Sequence, residues 1–115
     1  MTEIEALFDS NEFYLTIKGH ADYAEYGKDI VCSSVSILAF SLQKYLADHE
    51  DELERLCIDG DDGVMVFSCK IDDYHEHDLR QGIMAIVGGF EILSKNYEKN
   101  IHFSPKGNIF DKSFT

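Results

Sequence analysis

The first 18 residues alternate between apolar and polar positions, which is the pattern of β-strands with one buried face. Ser10 and Asn11 interrupt the alternation and favour a turn. The apolar positions on either side of that turn are Ile4, Ala6, Phe8, Phe13, Leu15 and Ile17. Residues 3–8 and 12–18 are therefore predicted to pair as a β-hairpin.

A second alternating pair lies in the middle of the chain. Residues 53–58 and 64–71 flank residues 59–63, a run of aspartates and glycines that favours a turn. One side of the later segment carries Met65, Phe67, Cys69 and Ile71. This pattern predicts a second hairpin, and its two cysteines, Cys57 and Cys69, are expected in the core.

Two longer segments repeat their apolar residues every three or four positions, which predicts helices with one buried face. The first helix is expected to begin after Asp29, whose carboxylate can accept the free backbone N–H groups of the first turn, and to run for about 18 residues. Its stripe is Val31, Val35, Leu38, Leu42 and Leu46. The second is expected to be capped by Asp72 and Asp73, with the stripe Leu79, Ile83, Ile86, Val87, Phe90, Leu93 and Tyr97.

The order β-β-α-β-β-α predicts an α+β fold, a two-layer sandwich in which a mostly antiparallel sheet carries both helices on one face. The 115 residues contain no repeat and no linker, so residues 1–115 are interpreted as a single domain. After Asn100 the chain is short and polar and contains Pro105. We expect an edge segment or a tail there, and no role is assigned to residues 98–115.

The composition carries an excess of acid, because 22 acidic side chains against 10 basic ones give a net charge of −12. Direct nucleic-acid binding is not expected, since phosphate recognition needs a basic face. The acidity leaves two interpretations open, a surface that keeps the protein in solution or recognition of a basic partner. No run of apolar residues approaches a membrane span, and the first residues lack a secretory signal, so the expected location is the cytoplasm.

Residues 19–28 break both periodicities and contain two glycines, which is long for a connection and predicts a working loop. The segment carries His20, and Cys32 follows at the third position of the first predicted helix. A helix N-terminus favours thiolate over thiol, and an imidazole folded back over it could serve as the base. The residues alone leave an alternative for each, with Cys32 as a small core residue and His20 as a turn cap.

Residues 72–78 are rich in aspartate, glutamate and histidine and could be read as metal ligands through His75 and His77. At a helix start, however, residues two apart point about 200° apart, and acids in a first turn are favoured by the helix dipole alone. Residues 59–63 lack the spacing of a calcium loop, and a phosphate-binding loop is not found. We therefore expect no metal and no other cofactor.

Residues 19–36 fit the spaced pattern G-H-A-x-Y-A-x-x-G-x-D-I-V-C-x-x-V-S. This pattern resembles the signature of the ribosomal-processing cysteine proteases, the Prp family, and the chain length and element order resemble that family as well. The resemblance implies a cysteine endopeptidase that removes the N-terminal extension of the twenty-seventh protein of the large ribosomal subunit. It implies Cys32 as the nucleophile and His20 as its base, and an enzyme of this kind needs no cofactor.

The resemblance also implies supporting roles. Asp29 matches an aspartate at the entrance of the active site, Ser36 matches a serine one turn beyond the cysteine, and Gly19 matches the glycine before the histidine. It further implies a homodimer and a loop, residues 19–28, that orders over substrate. Residues 33–34 are two serines where the family commonly has alanine or another small residue. A non-catalytic binding protein of ribosome assembly is the alternative function.

Overall fold

A computed structural model of the chain describes residues 1–19, 29–61 and 63–107. Within these ranges the chain forms five strands and two α-helices. They are β1 (Thr2–Asp9), β2 (Glu12–Lys18), α1 (Ile30–Asp48), β3 (Leu53–Asp61), β4 (Val64–Ile71), α2 (Glu76–Asn96) and β5 (Ile101–Gly107), with a single 3₁₀ turn at Glu50–Glu52 between α1 and β3. The predicted α+β class, both hairpins and both helices are confirmed.

The five strands form one sheet in the order β3-β4-β2-β1-β5. All neighbours are antiparallel except β1 and β5, which are parallel, so the sheet is mixed. The segment expected as an edge or a tail is thus a true edge strand. An edge position suits Pro105, which lacks a backbone N–H and could not bond a strand on both sides.

Each helix links two strands that point the same way, α1 between β2 and β3 and α2 between β4 and β5. The two crossings move in opposite directions along the sheet and start from strands of opposite direction. Crossovers of the same hand then place both helices on the same face. The core lies between that face and the helices, where it holds Ile4, Phe8, Phe13, Leu15, Phe67 and Ile71 from the sheet and Val31, Leu42, Leu46, Ile83, Val87 and Phe90 from the helices.

Two expectations about individual residues are wrong. Asp72 and Asp73 do not cap α2, because the N-cap is His75 and the carboxylate of Asp72 accepts the His75 backbone N–H at 2.9 Å, which closes a separate turn before the helix. Cys57 is exposed rather than buried, because it pairs with Ser68 and so lies on the sheet face away from the helices. Cys69, one position along, is buried as expected.

By length and hydropathy, α1 is the one helix in the described part of the chain that could cross a membrane. Its buried side chains, Val31, Val35, Ala39, Leu42 and Leu46, all join the core. It also packs against α2, where Leu38 lies over Gly89 and the ring of Tyr45 occupies the space beside Gly82. These contacts make α1 a core helix of the fold.

Candidate active site

Cys32 lies in the first turn of α1, where hydrogen bonds to Asp29 hold the start of the helix. Asp29 is the N-cap in extended conformation, and its Oδ1 accepts the backbone N–H of Cys32 at 2.8 Å. Asp29 is only 9% exposed, so this carboxylate is held inside the protein. The predicted cap is confirmed, and it orients the residue that carries the thiol.

A cavity of about 420 Å³ opens beside Cys32. The helix contributes Cys32, Val35, Ser36, Ala39 and Phe40 to its wall. The ends of the strands contribute Thr2, Ile17, Gly60, Asp61, Val64 and Met65, and Gly19 and Gly63 complete the wall. Most of these side chains are apolar, so the cavity suits an apolar side chain of a ligand beside a reactive thiol.

Gly19 closes the end of the sheet next to the cavity. Its φ of +86° is the left-handed region, and a Cβ at this position would lie 2.5 Å from the backbone oxygen of Met1. Its N–H donates to the carbonyl oxygen of Gly63 at 2.9 Å. Only glycine tolerates both the positive φ and the close approach to the Met1 oxygen. The hydrogen bond from Gly19 to Gly63 ties the end of β2 to the tip of the β3–β4 hairpin.

The three cysteines occupy three different environments. Burial raises the pKa of the Cys69 thiol to about 11, which keeps that thiol protonated and unreactive at neutral pH. Cys57 is exposed on a flat strand, away from the helices. Cys32 is partly buried, lies at a helix N-terminus and lines the cavity. Of the three, Cys32 therefore has the setting that nucleophilic catalysis requires.

The predicted site residues are brought together as far as the structure describes them. Cys32, Ser36 and Gly19 line one cavity, and Asp29 is bonded to the backbone of Cys32. His20 and the rest of the predicted loop through residue 28 lie outside the described residues.

The second cluster, around His75, has a local explanation. The Nδ1 atom of His75 lies 2.8 Å from Oδ2 and 2.9 Å from Oδ1 of Asp72. This hydrogen bond raises the pKa of His75 and lowers that of Asp72. His77 is exposed, and among the described residues no group of three or more histidines, cysteines and acids is arranged to hold a metal ion. His75 therefore acts as the partner of Asp72.

Sequence reasoning missed the strand residues of the cavity. Thr2, Gly60, Asp61 and Met65 come from three different strands and meet only because the sheet ends align beside α1. Periodicity indicates which face a residue occupies but not which strand ends meet. Gly60 and Gly63 indicated a hairpin turn in the sequence, but nothing in the sequence indicated that this turn reaches the cavity.

Comparisons with known proteins show which family and which individual proteins this chain resembles. A family model described as Cysteine protease Prp matches residues 1–102. The ribosomal processing cysteine protease Prp of Staphylococcus aureus strain Mu50 is 27% identical over 88 residues, which cover 76% of this chain and 81% of that protein.

Two crystal structures share the fold. The S. aureus Prp structure with a covalently linked product peptide superposes with a TM-score of 0.74 at 23% identity, covering 92% of this chain and all of that one. The structure of SMU.848 from Streptococcus mutans gives 0.66 at 24% identity, covering 91% of this chain and 93% of that one. Because the family model matches residues 1–102, most of its length, the chain belongs to the cysteine protease Prp family.

Proposed function

We propose that this cysteine protease removes the N-terminal extension of the twenty-seventh protein of the large ribosomal subunit, with Cys32 as nucleophile and His20 as general base. Membership of the family gives the coarser part, a cysteine protease that acts in ribosome maturation. The observation that carries the proposal is the position of Cys32, at the N-terminus of α1 and in the wall of a largely apolar cavity. A structure of the S. aureus relative holds a substrate peptide, which supports an extended polypeptide as the ligand.

The chemistry follows from a thiol at the N-terminus of a helix. The Sγ atom of Cys32 attacks the carbonyl carbon of the scissile bond, and the C–N bond then breaks to leave a thioester on Cys32. His20 takes the thiol proton and passes it to the leaving amine. Water then attacks the thioester, with His20 as the base, and restores the thiol.

The supporting residues act on this centre in different ways. Asp29 holds the backbone of Cys32, so it positions the nucleophile and does not exchange protons with the substrate. Because the Cys32 N–H already donates to Asp29, the oxyanion must be stabilised by other donors. Ser36, one turn further along α1, lines the cavity, and we propose that its hydroxyl hydrogen-bonds the bound peptide. Gly19 keeps the sheet end closed beside the cavity.

The proposal extends to the assembled protein. We propose that it works in the cytoplasm, as a homodimer, and without direct nucleic-acid contact. Ile37 on α1 and Ile92 on α2 are 62% and 61% exposed. These exposed apolar residues support a homodimer in which a second copy of the chain covers the helices. The net charge of −12 favours encounter with a basic protein substrate.

The test is incubation of the precursor ribosomal protein with the enzyme, followed by intact mass and N-terminal sequencing of the products. We expect a single cut that releases the extension, no cut with Cys32→Ala, and unchanged cutting with the matched control Cys57→Ala. His20→Ala should lower turnover by about 10²- to 10⁴-fold with little loss of precursor affinity. If Cys32→Ala still cleaves, Cys32 is not the nucleophile. If the unaltered protein binds the precursor and leaves it uncut, the non-catalytic assembly function is the better account.

A further inference from the structure

One row of side chains on α1 leads from Cys32 to an exposed aromatic ring. Cys32, Ser36 and Phe40 follow one another at intervals of four residues, so they share one face of the helix, and all three line the cavity. At about 1.5 Å per residue, Phe40 lies about 12 Å along the helix axis from Cys32. The cavity is therefore a groove that extends for two turns along α1, with the thiol at one end and Phe40 at the other.

The floor of this groove is apolar. Val35 and Ala39, on the neighbouring row of α1, line the cavity and belong to the buried core. From the sheet, Ile17 is buried and pairs with Met65, so both side chains project toward the helices. A floor of four apolar side chains accepts an apolar group and disfavours a polar one, which would lose its water without gaining a hydrogen bond.

Phe40 is the exposed part of the groove wall. It is 60% exposed and does not take part in the core of the described chain. Ile37, one turn earlier on the same helix, is 62% exposed but is not among the described residues of the cavity wall. An aromatic ring that is left in water at the edge of an apolar groove is typical of a residue that a ligand covers.

We infer that Phe40 is a specificity-determining residue that binds an apolar substrate side chain about three or four residues from the scissile bond. An extended peptide advances by about 3.3 Å per residue, so the distance of about 12 Å from Cys32 corresponds to this separation along the substrate. The inference rests on the proposed function, because it takes the groove as the site of the peptide. The occupant is the substrate rather than a second copy of the chain, because the row that carries Phe40 begins at the proposed nucleophile and lines the same cavity.

The expected size of the effect follows from the apolar surface that the contact covers. Removing about 60 Å² of such surface from water, shared between the ring and the substrate side chain, corresponds to about a tenfold gain in affinity. Molar salt should leave this gain in place, because burial of apolar surface does not depend on charge. The attraction of a basic substrate to the net charge of −12 would instead be screened.

The test uses the Cys32→Ala protein, so that binding is measured without cleavage. Fluorescent peptides that span the cleavage site of the precursor carry serine in place of each apolar residue, one at a time. Serine at one position, three or four residues from the cut, should lower the affinity about tenfold. Phe40→Ala should lower the affinity for the unaltered peptide by a similar factor and should make it insensitive to that serine.

Two further variants make the comparison specific. Ile37→Ala is the matched control and should bind every peptide as the Phe40 protein does, while Phe40→Leu, which keeps an apolar side chain, should retain most of the affinity. Equal losses in the Phe40→Ala and Ile37→Ala variants, or losses from Phe40→Ala and the serine that simply multiply, would overturn the inference. A Phe40→Ala protein that sediments as a monomer and keeps its peptide affinity would assign the ring to a contact between copies and would also overturn it.

Cleavage of the same peptides by the protein with Cys32 intact separates this inference from the proposed function. Cys32-dependent cutting that Phe40→Ala leaves unchanged defeats the role of Phe40 and leaves the protease intact. Binding that depends on Phe40, without any cutting, supports Phe40 as a peptide-binding residue and defeats the protease on this substrate. If none of the peptides is bound or cut, both fail.

Discussion

At the scale of single residues, the three thiols lie in three different environments. Cys69 is buried, and its pKa is raised to about 11 by loss of hydration. Cys57 is exposed on a strand and has no helix dipole beside it. Cys32 is partly buried in the first turn of α1 and lines the cavity.

Cys32 should be alkylated faster than Cys57 at neutral pH, and Cys69 should remain unlabelled in the folded protein. The exposed Cys57 serves as the internal standard, because its labelling reports access without activation. Brief treatment with iodoacetamide, followed by peptide mapping, gives the three rates. Labelling of Cys57 at the same rate as Cys32 would show that the helix N-terminus does not activate the thiol.

The sequence alone pointed to Cys32, His20 and Asp29, because a cysteine three positions after an N-cap and a matching spaced motif are both local features. The structure confirms the Asp29 cap, and the catalytic roles of Cys32 and His20 stay predictions. Sequence reasoning placed Cys57 wrongly, because the side of β3 on which a residue lies depends on register with β4. It also missed Asp61, which reaches the cavity through the meeting of strand ends. The positions of these two residues depend on the pairing of distant strands, which a local sequence pattern does not predict.

At the scale of elements, the start of α1 depends on the Asp29 cap. Asp29→Ala should lower the free energy of unfolding by about 1 kcal/mol, because the Cys32 N–H loses its acceptor. Asp29→Asn is the matched control and should lose much less, since asparagine caps equally well. Urea unfolding of the three proteins measures the difference. Equal stability of the alanine and asparagine variants would mean that the cap does not hold the helix start.

The turn between β4 and α2 carries a pH-dependent contact. The hydrogen bond with Asp72 raises the pKa of His75 above its ordinary value, and it lowers that of Asp72. A raised histidine pKa gives stability below about pH 6.5 that is lost as the pH rises through the folded pKa. The lowered aspartate pKa gives stability above about pH 4 that is lost in acid.

Replacement of His75 by asparagine should therefore cost stability at about pH 5 to 6 and cost less at pH 8 and above. The measurement is the urea midpoint against pH for the two proteins, and the difference between them isolates this histidine from the others. The same variant with Asp72→Asn added should show no further pH dependence from this pair. A difference between the proteins that grows above pH 7 would contradict the assigned direction.

The element order also shows what periodicity can and cannot supply. The two hairpins and two helices each bury one face, so the spacing of their apolar residues could be recognised in the sequence. The strand β5 could not be recognised as a strand in this way, because Pro105 and the polar residues around it resemble a loop. Its partner β1 also lies about a hundred residues away in the sequence. The parallel pairing is a consequence of the crossover through α2 and has no local signature.

At the scale of the whole molecule, the exposed apolar side chains on the helices support an assembly larger than one chain. Sedimentation at micromolar concentration should give twice the chain mass of 13.1 kDa. Ile92→Glu should shift the protein to the monomer, because Ile92 is exposed on α2 and a charge there would enter the surface that we propose is covered in the dimer. Sedimentation of the unaltered protein as a monomer would refute the dimer.

The central claim is that Cys32 cuts the precursor through a covalent thioester. Its most direct test is a rapid acid quench of enzyme mixed with excess precursor, followed by intact mass and peptide mapping of the enzyme. The account predicts an early species that carries the released extension on Cys32, with a mass gain equal to the extension less water. The Cys32→Ala protein should show neither adduct nor cleaved precursor. An adduct mapped to Cys57 or Cys69, or cleavage by the alanine variant, would contradict the account.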